Sequence, residues 1–86
     1  SILTEPRDMK FSSERDLIHQ LIVGRDGLIL TEGLKRGTFL PSVWEQLADP
    51  QQFFNHLKVK AGLPQDYWSD SLRVQRYRTS SFSDRV

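Results

Sequence analysis

Cysteine is absent from the 86 residues. That excludes disulfides, cysteine nucleophiles and thiolate metal sites within this segment, and it favours a cytoplasmic address. An excess of charge of one sign is missing too: 12 Lys and Arg stand against 11 Asp and Glu, a formal +1. No bulk field therefore draws the chain to nucleic acid or to an anionic membrane. No apolar run approaches the roughly 20 residues that a membrane span needs, and mean hydropathy is negative. The opening Ser1-Ile2-Leu3-Thr4-Glu5-Pro6 lacks the basic start and apolar middle of a secretory signal. Gly24, Gly27, Gly33 and Gly37 are spaced as separate turn residues and not as a phosphate-cradling loop. His19 and His56 have no recognised metal-ligand spacing, and no Gly-x-Ser-x-Gly elbow occurs. Internal repeats and low-complexity tracts are also missing. Neither a metal nor a cofactor is implied.

What is present suits at most one small domain, near the lower limit for burying a useful core. Ser1-Ile2-Leu3 reads like the end of a strand already under way, and no covalent or metal staple supports so small a core. The chain is therefore expected to be a piece of something larger.

The organising stretch is Arg36-Gly37-Thr38-Phe39-Leu40-Pro41-Ser42-Val43-Trp44-Glu45. Gly37 is expected to supply backbone angles that a side chain would forbid. Thr38-Phe39-Leu40 reads as extended, and Pro41 ends it for want of an N–H. Ser42 and Glu45 have capping-box spacing and predict a helix start, with Trp44 and Leu47 on one side of its first turn. The stretch aims Phe39 and Trp44 at a common core.

Before it, Ile2-Leu3 is a strand remnant and Met9-Lys10-Phe11 a second short extended piece. Ser13 and Asp16 cap a helix whose apolar positions are Leu17, Ile18, Leu21 and Ile22, with Gly24 as its C′ residue. His19 is expected to be solvated. Arg25-Asp26-Gly27 is a turn, and Leu28-Ile29-Leu30-Thr31 a compact apolar run of strand length. Glu32-Gly33 turns it back toward an antiparallel partner over Leu34–Leu40, with a bulge or wide loop at Lys35-Arg36-Gly37.

After it, Asp49-Pro50 starts a further helix with Phe53, Phe54, Leu57 and Ala61 on one side; Gly62, Leu63 and Pro64 end it. His56, at the edge of the stripe, is expected to be partly buried and structural. Val59 points away from the stripe, which suggests that this side also meets something. Asp66 to Asp70 is a loop whose Tyr67 and Trp68 need cover. Leu72 to Arg78 alternates like a half-exposed strand: Leu72 and Val74 inward, Arg73, Gln75 and Tyr77 outward, Arg76 at its end. Residues 79–86, polar apart from Phe82 and Val86, are expected to fray.

Few patterns carry chemistry. Asp66 and Asp70 are close enough to divide acid and base roles, although caps and turns are the commoner use of such loop carboxylates. Arg73, Arg76, Arg78 and Arg85, with Tyr77 interleaved, could contact phosphate or a stacked base, or simply protect a strand edge. No catalytic residue is assigned.

Several blocks taken together resemble a known family. They are Asp26-Gly27-Leu28-Ile29-Leu30, then Arg36-Gly37-Thr38-Phe39-Leu40-Pro41-x-Val43-Trp44-Glu45-Gln46-Leu47, Phe53, Lys60-Ala61-Gly62-Leu63, Tyr67-Trp68, Val74 and Arg76-Tyr77. The family is the AMME chromosomal region (AMMECR-type) domain, whose bacterial and archaeal members are called AmmeMemoRadiSam system protein A. The resemblance covers the C-terminal half of that domain; the Leu-Arg-Gly-Cys-Ile-Gly block of the other half is absent from this sequence. It implies an α+β fold of short antiparallel strands with about three helices, forming one half of a two-unit domain over residues 1–86. The implied partners are the missing N-terminal half and, through shared gene neighbourhoods, Memo-like and radical-SAM-type proteins.

Three functional readings follow. The favoured one is a non-catalytic or accessory protein-interaction module with an aromatic surface formed by Phe39, Trp44, Tyr67 and Trp68. The second is an enzyme whose site needs the other half, with Thr38, Glu45, Asp66 and Asp70 as this chain's contributors. The third, less favoured, is nucleic-acid binding through Arg73, Arg76 and Arg78; membrane binding is not expected.

Overall fold

The central strand is the apolar run. In the computed structural model, which describes residues 2–3 and 5–80 and the side chains of 5–78, β3 (Gly27–Glu32) lies between two antiparallel neighbours. Leu28, Ile29 and Leu30 are all buried, as a strand covered on both faces requires. One neighbour is β4 (Lys35–Phe39), the other β5 (Arg73–Tyr77), and β2 (Arg7–Asp8) adds to the far side of β5. The order is β2-β5-β3-β4. A separate ribbon pairs β1 (Ile2–Leu3) with β6 (Thr79–Ser80). With two α-helices the fold is α+β.

The β3–β4 hairpin runs in unbroken register from Leu28↔Phe39 to Glu32↔Lys35. The bulge expected at Lys35–Gly37 is therefore not formed. Gly33 and Leu34 make a two-residue turn, with Gly33 at φ +61° in the first central position, where a II′ hairpin turn wants glycine. A turn that tight leaves no residue over to bulge.

Gly37 is also not in a left-handed conformation. Its role is steric: a Cβ there would lie 2.9 Å from the backbone N of Ala61. The missing side chain lets helix α2 (Pro50–Ala61) lie directly on β4.

Helix α2 forms as its sequence dictates. The Asp49 carboxylate accepts from the Gln52 N–H at 3.0 Å, and Pro50 opens the first turn. Gly62 caps it at φ +95°, and the Leu63 N–H closes on the Lys58 carbonyl at 2.8 Å. Phe53, Phe54 and Leu57 are fully buried. His56 is exposed and not partly buried as expected; Val59 is 51% exposed.

Helix α1 (Glu14–Gln20) starts at Ser13, whose hydroxyl accepts from the Asp16 N–H at 3.1 Å. It stops earlier than the apolar spacing suggests. The Ile22 amide is drawn to the Asp26 carboxylate (3.0 Å), and the Ile22 carbonyl accepts from Arg25 and Asp26. Gly24, at φ +85°, therefore belongs to this second turn and is not the helix C′ residue, and Ile22 is 40% exposed.

The helix expected at Ser42 is a 3₁₀ turn, Pro41–Glu45, with no side-chain cap. Its bonds run from Val43 N–H to Leu40 carbonyl and from Gln46 N–H to Val43 carbonyl. Five residues between a strand and the Asp49-Pro50 start cannot offset the cost of α-helix nucleation. Among the described residues the helices are therefore two α-helices and one 3₁₀ turn, where about three helices were expected.

At the N-terminal edge, pairing begins at Arg7–Asp8, two residues before the expected Met9–Phe11, and Met9 N–H continues it to the Val74 carbonyl. Thr79 and Ser80, within the stretch expected to fray, pair with Leu3 and Ile2. The remaining residues of that stretch, 81–86 with Phe82, Arg85 and Val86, lie outside the described residues. No described helix is long and apolar enough to cross a membrane.

Candidate functional site

Asp26 ties three separate segments together. Its side chain is fully buried, which for a carboxylate demands partners. Oδ2 accepts from the Ile22 N–H at 3.0 Å and lies 3.1 Å from Arg76 Nε. That second contact is an ion pair without hydrogen-bond alignment, since Asp26 Oδ1 and Arg76 Nε make no hydrogen bond. Arg25 Nε is 3.7 Å from Oδ1. The Asp26 carbonyl accepts from the indole N–H of Trp44 at 2.8 Å. Arg76 in turn donates to the Gln20 carbonyl at the end of α1. Strand β5, the α1 terminus and the 3₁₀ turn thus meet on one residue.

The neighbouring Gly27 has an equally specific partner. A Cβ there would stand 2.4 Å from Tyr77 Cζ, so the Tyr77 ring occupies the missing side chain's space. Tyr77 is buried, its hydroxyl donates to the Phe39 carbonyl at 3.0 Å, and burial raises its ionisation above the ordinary tyrosine value. The sequence places Tyr77 on the outer side of β5, but this side is covered as well.

The aromatic rings do not make one surface. Trp44 is 2% exposed and stacks on Phe53 at 3.7 Å and 5°. Half-buried Phe39 meets Phe53 edge-on at 5.3 Å. Trp68 instead sits edge-on to Phe11 (5.6 Å) and Phe54 (6.4 Å). Tyr67 donates to Glu32 Oε2 at 2.6 Å. These rings find cover within this chain, and Trp44 is core.

The Glu32 carboxylate gathers the 64–72 loop. Besides Tyr67 it accepts from Ser71 Oγ at 2.9 Å to each oxygen, and Ser69 and Ser71 share a 2.8 Å contact. The Tyr67 and Ser71 hydroxyls hold its ionisation below the ordinary carboxylate value, and the same bond raises Tyr67.

A buried cation that sequence reading missed lies on α2. Lys58 is fully buried; its Nζ donates to Glu14 Oε2 (2.8 Å) and the Gln65 carbonyl (3.0 Å) and stands 5.0 Å from the Phe54 ring centre.

Of the other anticipated site residues, Arg36 is exposed, Thr38 half-buried and Leu40 51% exposed, while Pro41 and Val43 are half-buried and Glu45 is exposed. Asp66 and Asp70 are exposed, and no group of three or more His, Asp or Glu among the described residues is arranged to hold a metal. The arginine strand divides: Arg76 turns to Asp26, whereas Arg73, on the opposite face by alternation, lies 3.6 Å from Asp8. Arg78 is exposed.

A concavity of about 330 Å³ lies beside the hub, between Val23-Gly24 and Pro41, Ser42, Trp44 and Glu45. Its wall is mixed: Val23, 47% exposed, Pro41 and Trp44 with the polar Ser42 and Glu45. Ile22 and Leu40, each next in sequence to a lining residue, are 40% and 51% exposed.

Comparison with known proteins gives one consistent result. A sequence model of the family described as AMMECR1 matches residues 1–82. Protein MJ0810 of Methanocaldococcus jannaschii is 35% identical over 86 residues, covering 98% of this chain and 43% of its own length. A Thermofilum pendens protein is 38% identical over 84 residues, covering 95% and 39%. The crystal structure of the uncharacterized protein PH0010 from Pyrococcus horikoshii superposes with a TM-score of 0.80 at 32% identity, over 88% of this chain and 38% of that one. The chain thus spans less than half the length of each of these relatives.

Proposed function

This chain belongs to the AMMECR1 family, and we propose that it is a non-catalytic, accessory protein-interaction module. The residues that carry the family resemblance build its scaffold, and the open apolar side chains next to them make the contact. The observation that carries this reading is half-exposed Val23 in the wall of the concavity, facing the 3₁₀ turn that Asp26 anchors through Trp44, with half-exposed Leu40 at the start of that turn. Single exposed apolar residues are ordinary; a cluster of them is what a contact site uses, and Ile22, Val23 and Leu40 belong to the two segments that border this concavity. The chain spans less than half of its relatives, so the first partner proposed is the remainder of a relative-length chain, the second unit of a two-unit domain. Memo-like or radical-SAM-type proteins are the partners proposed for the completed domain, in the cytoplasm.

The test separates the two levels. The 86-residue chain is co-expressed with the remaining part of a relative-length chain, and the completed protein is then mixed with a purified Memo-like protein. Association in trans that is lost with Val23→Asp and Leu40→Asp, with folding intact, is the expected result. No complex at either step would overturn the reading.

A further inference from the structure

The concavity along β2 and β5 is lined mainly by charged residues. It encloses about 570 Å³, with Arg7, Arg76, Arg78, Glu5, Asp8 and Gln20 in its wall. Arg7 and Arg76 are direct partners in the antiparallel register. Their side chains leave the same face with Cβ atoms about 5 Å apart, where like charges destabilise pairing. Arg78, just past the end of β5, also lines the concavity.

The three arginines are not equivalent. Arg76 is fixed by the buried Asp26 carboxylate and the Gln20 carbonyl, yet keeps 27% of its side chain exposed. A guanidinium has five N–H donors, so donors remain for the concavity. Among the described residues no ion pair holds Arg7. The carboxylates nearby are not paired with Arg7: Asp8, in the wall, lies 3.6 Å from Arg73, and Glu5 is an exposed rim residue in no ion pair with a described residue.

We propose that this concavity binds an oxyanion, a phosphate or carboxylate group seated between the guanidinium groups of Arg7 and Arg76. Planar guanidinium forks suit either group bidentately, and the anion relieves the repulsion that the register imposes. Asp26 is the positioning residue, because it holds Arg76 in the required orientation from below. The site is independent of the apolar contact proposed above; failure of either leaves the other standing.

The experiment is a nuclear magnetic resonance titration of this chain with inorganic phosphate at constant ionic strength, with sodium chloride and sodium acetate as parallel arms. Saturable shifts of the amides near Arg7, Gln20 and Arg76 are expected with phosphate, or with acetate if the natural group is a carboxylate. Arg7→Gln should weaken binding about tenfold or more, the effect of one lost charged hydrogen bond. Arg73→Gln, on the opposite face, should not change it. Shifts that chloride reproduces, shifts that never saturate, or undiminished binding by Arg7→Gln would overturn the proposal.

Discussion

The Tyr77 ring stands in the volume that a side chain at Gly27 would need, 2.4 Å from the position of its Cβ. The two residues face each other across the β3–β5 ladder, and the Tyr77 hydroxyl reaches the end of β4. One absent side chain thus lets a single ring join three strands.

Gly27→Ala and Gly37→Ala should therefore both destabilise the fold by about 1–3 kcal/mol, the cost of overpacking a filled interior. They differ in what can relieve them. At residue 27 the obstacle is a side chain, so Gly27→Ala combined with Tyr77→Ala should cost less than the two changes summed. At residue 37 the obstacle is the α2 backbone at Ala61, and no single side-chain change should help. Equilibrium urea unfolding of the wild type and the four variants checks this.

Glu32 predicts a pH dependence confined to the acid side. Its ionisation lies below the ordinary 4.5, because the Tyr67 and Ser71 hydroxyls bond to the charged form. A depressed carboxylate stabilises the fold fully above its ordinary value and loses that contribution as pH falls through its folded value. Tyr67 is raised above 10.0, so its own contribution is lost only in strong alkali. Urea midpoints of the wild type and Glu32→Gln, measured from pH 7 down to about pH 3, should converge as the pH drops. A constant difference across that range would contradict the assignment.

Lys58 and Glu14 give an asymmetric prediction. Lys58 is fully buried while Glu14 keeps part of its surface. Lys58→Met removes the buried charge and keeps the volume, so it should be neutral or stabilising. Glu14→Ala leaves the ammonium buried with only the Gln65 carbonyl and the Phe54 ring, and should be the more harmful change by thermal melting.

Local features were legible in the sequence where the signal was itself local. The Ser13 and Asp49 caps, the Gly62 terminus, the apolar strand at Leu28–Leu30 and the inward Leu72 and Val74 all follow from patterns within one element. Several of the misses come from contacts distant in the chain. Asp26 reads as a turn residue beside glycine, and only Arg76, fifty positions on, reveals it as a buried anion. The same carboxylate ends α1 early by taking the Ile22 amide. Gly37 looks like a backbone-angle glycine until Ala61 is laid on it. Lys58 falls within the apolar stripe of α2, where its charge argues against burial until Glu14 and Gln65 are brought to it. The blocks that carry the family resemblance are largely blocks that touch one another: Asp26 with Trp44 and Arg76, Gly27 with Tyr77, Gly37 with Ala61.

The most direct test of that arrangement is a double-mutant cycle on Asp26 and Arg76. Asp26→Asn alone should cost about 3 kcal/mol, the lower end for breaking a buried pair, because Arg76 retains some solvent. With Arg76→Met present, the same change should cost at least about 1 kcal/mol less. Costs that simply add, within about 0.5 kcal/mol, would mean that the two residues do not act as a unit, and the hub described here would be wrong.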